Sequence, residues 1–87
     1  MNLGEIRWNA HKDELLKRTR GVSFEEILKC RFVDIIANPN KPWQKFLLYE
    51  RKSYIWAVPF VTSHDGIFLK TLYPSRKYTR VYLGGDR

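Results

Sequence analysis

The sequence predicts one α+β domain over residues 1–87: a short strand, two helices, an antiparallel meander of about four strands and a short closing helix. Three observations carry this. Ser23-Phe24-Glu25-Glu26 has the form of a capping box, so a helix starts there. From Val33 onward, helical spacing gives way to runs of β-branched and aromatic residues separated by turn residues. Ser75 follows Pro74 and can cap a last helix. The helices are expected to be segregated on one side of the antiparallel sheet.

Each element has a local reason. In the strand from Leu3 to Trp8, Ile6 and Trp8 share one face, with Glu5 and Arg7 on the other. Asn9 can cap a helix from about Ala10 to Thr19, anchored by Leu15 and Leu16 and ended by Gly21. The helix after Ser23 turns Phe24, Ile27 and Leu28 to the core, with Val22 and Ile27 as a hydrophobic staple, and ends near Cys30–Phe32. Val33 to Ala37 is the next strand, and Asn38-Pro39-Asn40-Lys41-Pro42 breaks it. Lys45 to Glu50 and Tyr54 to Val61 are strands joined at Arg51-Lys52-Ser53. Pro59 requires a bulge or an edge at its position, because it has no N–H to give a ladder. Ser63-His64-Asp65-Gly66 is a second hairpin turn, and Ile67 to Leu72 is the last strand, stopped by Pro74. A short helix from about Arg76 to Leu83 follows, and Gly84 to Arg87 is expected to fray.

A chain of 87 residues can bury one modest core, so chemistry is expected on a shallow groove or an open sheet face. The net charge is +7, from 16 Lys and Arg against 9 Asp and Glu, with local concentrations at Lys17, Arg18 and Arg20 and at Arg76, Lys77 and Arg80. That balance favours an anionic partner: nucleic acid, an acidic protein or a membrane surface. No apolar run approaches the roughly 20 residues of a membrane helix, so no membrane is expected as a partner. The start lacks the pattern of a signal peptide. Cys30 is the single cysteine, so no intramolecular disulfide can form. A cytoplasmic location is expected.

Several chemistries are weak here. His11, His64 and Cys30 stand apart, without the close ligand pairs of a zinc site, so neither metal nor cofactor is expected. Gly84-Gly85 precedes no helix, so no phosphate-binding glycine loop is present. The informative stretch is Phe68 to Tyr78. Alternation in a strand puts Phe68, Lys70 and Leu72 on one face. Burying Lys70 without a partner is costly, so it is expected on the open face near Arg76 and Lys77. A cleft of Lys, Arg and Tyr can hold a phosphodiester, stack a base and stabilise a pentavalent transition state. RNA brings its own nucleophile, the 2′-hydroxyl. The competing reading is a solvated basic edge, with Tyr73 and Tyr78 as packing residues.

The chain resembles the BrnT-like toxins of bacterial type II toxin–antitoxin modules, within the wider RelE-like ribonuclease group. Ile6-Arg7-Trp8-Asn9 with Lys12, Arg20 to Ile27, and Phe68 to Lys77 carry the resemblance, which extends over nearly the whole chain. It implies a RelE-like fold and an endoribonuclease that cleaves mRNA without a metal, free or on the ribosome. It also implies a cognate antitoxin as partner, with operator DNA bound only through that antitoxin. The basic residues nearest the family's active sheet positions are Lys45, Arg51, Lys70, Arg76 and Lys77. In this reading Arg76 and Lys70 stabilise the phosphorane and Lys45 neutralises a phosphate. Tyr54 or Tyr73 stacks a base or shares in proton transfer. Arg51, Ser75, Lys77 and Arg80 hold the flanking RNA. The alternative is a non-catalytic basic module that binds RNA or protein.

Overall fold

A computed structural model describes residues 4–84. The elements run β1 (Glu5–Trp8), α1 (Ala10–Arg20), α2 (Phe24–Leu28), β2 (Arg31–Ala37), β3 (Gln44–Arg51), β4 (Tyr54–Ser63), β5 (Gly66–Leu69), β6 (Tyr73–Pro74) and α3 (Arg76–Leu83). They form an α+β fold around one sheet in the order β1-β5-β4-β3-β2, with β6 also paired to β4. The expected fray at Gly85 to Arg87 lies outside the described residues.

Local chemistry sets the helix ends. The Asn9 side chain accepts from the Lys12 N–H, and Gly21 ends α1 in the left-handed region at φ 78°, where a side chain would be strained. The Ser23 box is complete: its hydroxyl accepts from the Glu26 N–H, and the Glu26 carboxylate accepts from the Ser23 N–H. Lys17 of α1 donates to both Glu26 oxygens at 2.8 Å, tying the two helices together. The Lys17 ammonium, and after it the Ser23 N–H, hold the Glu26 carboxyl down at about 2. A lowered folded-state value adds stability above the ordinary carboxylate range, and that stability is lost as pH falls toward 2. Carboxyl titration by NMR should therefore find the Glu26 midpoint near 2, and Lys17→Met should return it toward 4.5. A wild-type midpoint near 4.5 would show that the clasp does not persist in solution.

Two apolar clusters occupy the two faces of the sheet. Leu47 and Tyr49 of β3 and Trp56, Val58 and Phe60 of β4 meet Leu16 of α1 and Phe24 and Ile27 of α2. The alternate residues Phe46, Leu48, Ile55 and Ala57 meet Tyr78 and Leu83 of α3. The helices therefore lie on both faces of the sheet, and the expected segregation on one side is not found. Both strand faces are apolar at β3 and β4, and α3 returns to cover the second one.

The meander needs a second correction. β2, β3, β4 and β5 pair antiparallel in chain order, but β1 joins β5 in parallel, so the sheet is mixed. Helices α1 and α2 are part of the long crossover that a parallel pair requires. Gly66 permits this junction. A Cβ there would overlap the Glu5 backbone, and Gly66 sits opposite Glu5 in the register. Gly66→Ala should cost about 1–3 kcal/mol, the usual penalty for overpacking, and should speed amide exchange in β1. Unchanged stability and exchange would mean that β1 is not held there.

The third correction concerns the last strand. It breaks after Leu69 and resumes as β6, which ends at Pro74. Phe60 pairs with Leu69, yet Ala57 pairs with Tyr73, so one extra residue has entered the strand opposite β4. Pro59 lies opposite this break, and its carbonyl accepts from the Lys70 N–H at 2.8 Å. Its N–H would have pointed the same way, so the proline costs the sheet no bond on the β3 side.

Candidate nucleic-acid interface

The β3–β4 hairpin and α3 meet at one end of the sheet. Lys52 and Ser53 form the turn with φ of 53° and 64°, both in the left-handed region. That geometry matches a tight two-residue hairpin and sets Arg51 directly opposite Tyr54. The Arg51 guanidinium lies over the Trp56 ring, 5.9 Å from its centre.

The approach of α3 to this end rests on a small hydrogen-bonded circuit. The Ser75 N–H donates to the Ile55 carbonyl at 2.8 Å. The Ile55 N–H donates to the Thr79 hydroxyl at 2.8 Å, and that hydroxyl donates to the Ser75 carbonyl at 2.7 Å. The Ser75 hydroxyl caps α3 by accepting from the Tyr78 N–H. Ile55 is the neighbour of Tyr54, and Arg76 and Arg80 flank Thr79 on the helix. Together Tyr54, Arg76, Thr79 and Arg80 line a polar cleft of about 330 Å³.

Cations at this end are unpaired, as Lys12, Arg18, Arg20, Lys41, Lys45 and Lys70 also are among the described residues. Among the described residues, the ion pairs hold Arg7, Lys17, Lys29 and Arg31. None of Arg51, Lys52, Arg76, Lys77 and Arg80 pairs with a described carboxylate. Cations without internal partners remain available to an external anion, and Arg presents a planar fork suited to phosphate.

The expected site residues divide into groups. Arg76 and Arg80 line the cleft with Tyr54, but the Tyr54 ring packs with the α1–α2 cluster on the sheet face opposite α3, and Arg51, over Trp56, is on that same face. Lys45 lies opposite Phe60, six positions along β4 from Tyr54, which is about 20 Å at about 3.4 Å per residue. It lines a different cleft of about 640 Å³, with Ile35, Thr62, His64 and Ile67. Lys70 is exposed, lies outside any strand, and sits with its ammonium 5.6 Å from the centre of the Phe68 ring. It does not share a face with Leu72, which is fully buried against the α1–α2 side. The extra residue in the strand breaks the alternation that was expected.

Tyr73 and Ser75 have structural places. Tyr73 packs against the α3-side cluster, and burial raises its phenol above the ordinary value, with Tyr78 adding to the rise. Ser75 is buried and its polar groups are used in the circuit and the cap, which removes it from the surface that RNA could touch. Lys77 is exposed on α3, its ammonium 5.3 Å from the Tyr78 ring centre. Sequence reasoning missed Lys52, Trp56 and Thr79. The two-residue hairpin was the available signal for Lys52; nothing local in the sequence marks Thr79.

Among the described residues, no three His, Cys, Asp or Glu side chains are grouped to hold a metal ion, and no helix is long and apolar enough to cross a membrane. Comparison with known proteins finds no matching family model, no matching curated protein and no matching solved structure.

Proposed function

We propose that this chain is an RNA-binding endoribonuclease of RelE-like fold, acting as a cytoplasmic toxin that a cognate antitoxin restrains. The observation that supports it best is the cleft of Tyr54, Arg76 and Arg80, whose two guanidinium groups have no carboxylate partner. The toxin role and the antitoxin rest on the resemblance carried by the three motifs.

The chemistry transfers a phosphodiester to the 2′-oxygen. The 2′-hydroxyl loses its proton to water as its oxygen bonds to phosphorus, and the bond to the 5′-oxygen breaks. Arg76 and Arg80 stabilise the charge on the non-bridging oxygens, as fixed donors do for developing oxyanions. Water protonates the departing 5′-oxygen, and Tyr54, whose ring packs on the α1–α2 face, stacks a base at the edge of the cleft. Arg51, Lys52 and Lys77 hold adjoining phosphates. Lys45 and Lys70 are too far along the sheet to share that phosphate, so in this reading they contact more distant nucleotides.

The test is expression of the chain in a bacterial host beside Arg76→Ala, with RNA sequenced from both cultures. Growth arrest with new RNA ends in the wild type alone supports the proposal. Equal arrest with intact RNA in both would overturn it and leave a non-catalytic binding module.

A further inference from the structure

We propose that Thr79 is a positioning residue for this site, acting through the backbone of Ile55; the proposal rests on the functional reading above. On the edge of β4 away from β3, no described strand stands beside Ile55 beyond the end of β6. Ser75 answers its carbonyl and the Thr79 hydroxyl answers its N–H, at 2.8 Å each. Thr79 is 3% exposed, so water does not compete for this bond.

The hydroxyl is fixed in direction. It donates to the Ser75 carbonyl one helical turn back and can therefore only accept from Ile55. This makes the first turn of α3 a surrogate strand. It fixes the height and rotation of the helix over β4, with Arg76 three residues before Thr79 and Arg80 one after it. Tyr54, the neighbour of Ile55, borders the cleft with its ring on the opposite face of the sheet. One buried hydroxyl thus sets the position of both guanidinium groups over the end of β4.

Neither Thr79→Ser nor Thr79→Val changes charge, and valine nearly keeps the shape while losing the bond. Thr79→Val should leave the Ile55 N–H without a partner and speed its amide exchange at least about 10-fold. Small displacements of positioned groups can cost about 100-fold in rate. The expected result is thus a fall in kcat on a single-stranded RNA of about 10- to 100-fold, with KM changed less. Affinity for an uncleavable 2′-O-methyl oligonucleotide should fall several-fold. Thr79→Ser should restore all three. Ile27→Val, a core change under α2, should lower stability while leaving kcat of the folded protein unchanged.

If the valine variant does not fold, Thr79→Ala removes the same hydroxyl with less apolar bulk and is read in the same way. Unchanged kcat and affinity in a folded Thr79→Val or Thr79→Ala protein would overturn the positioning role. Failure of Thr79→Ser to restore them would also overturn it. A wild type that binds the oligonucleotide but never cleaves RNA would overturn the ribonuclease reading alone, because the affinity series still reads the position of the arginines. A wild type that binds no RNA would overturn both.

Discussion

Replacing Arg76 and Arg80 together with alanine should abolish measurable RNA cleavage and lower RNA affinity by about two orders of magnitude. Hydrogen bonds to charged groups contribute about 1.5–3 kcal/mol each, so two lost contacts reach that scale. Loss of a donor to a developing oxyanion costs a further factor of about 100 to 1,000 in kcat. The salt dependence should change in parallel. Affinity of the wild type should fall steeply with salt as phosphate-bound cations are released, and the double variant should show a shallower slope by about two contacts. The helix should remain in place, because both side chains are exposed and the Ile55 circuit does not use them. Filter binding across a salt series, with circular dichroism of both proteins, checks this. Equal slopes would place the phosphate contacts elsewhere.

The second large effect concerns stability. Phe24→Ala should cost about 3–5 kcal/mol, the usual range for removing a buried aromatic ring. Small domains have only about 5–15 kcal/mol in total, so the variant should be largely unfolded at 37 °C. Phe24 is fully buried and its ring lies 5.6 Å from that of Trp8, which brings β1 onto the α2 side of the core. Its N–H also donates to Asp13 of α1 at 2.7 Å. Three elements therefore meet at this residue. Urea unfolding checks the prediction, and a loss below about 1 kcal/mol would mean that the β1–α2 contact contributes little.

What could be read from the sequence follows the range of the interactions involved. Ser23 with Glu26, Asn9 with Lys12, and Ser75 with Tyr78 are contacts over three residues, and all three caps stand where local spacing puts them. Pro59 announced an irregularity, and the strand opposite it breaks. The parallel docking of β1 depends on residues about 60 positions apart, Glu5 and Gly66, and no local pattern encodes it. Coverage of both faces was legible in principle: Phe46 to Tyr49 is apolar at consecutive positions, which a strand open on one face would not be.

The candidate site was half legible for the same reason. Arg76 and Arg80 lie one helical turn apart, and Arg51 and Tyr54 bracket a hairpin, so those pairs could be expected. Their meeting at one end of the sheet depends on Thr79 reaching Ile55 across 24 residues, a contact that spacing cannot show. Lys70 is exposed on the Phe68 side as expected, and it is Leu72 that a single extra residue turns to the other face.

The central claim is that RNA meets this protein at the hairpin and α3 end of the sheet. Amide-resolved NMR titration with a single-stranded, 2′-O-methylated oligonucleotide tests it most directly. The expected result is that the largest shifts cluster at residues 51–55 and 76–80. Shifts centred instead on Lys45 and the turn at His64 and Asp65, or no shifts at low salt, would contradict it.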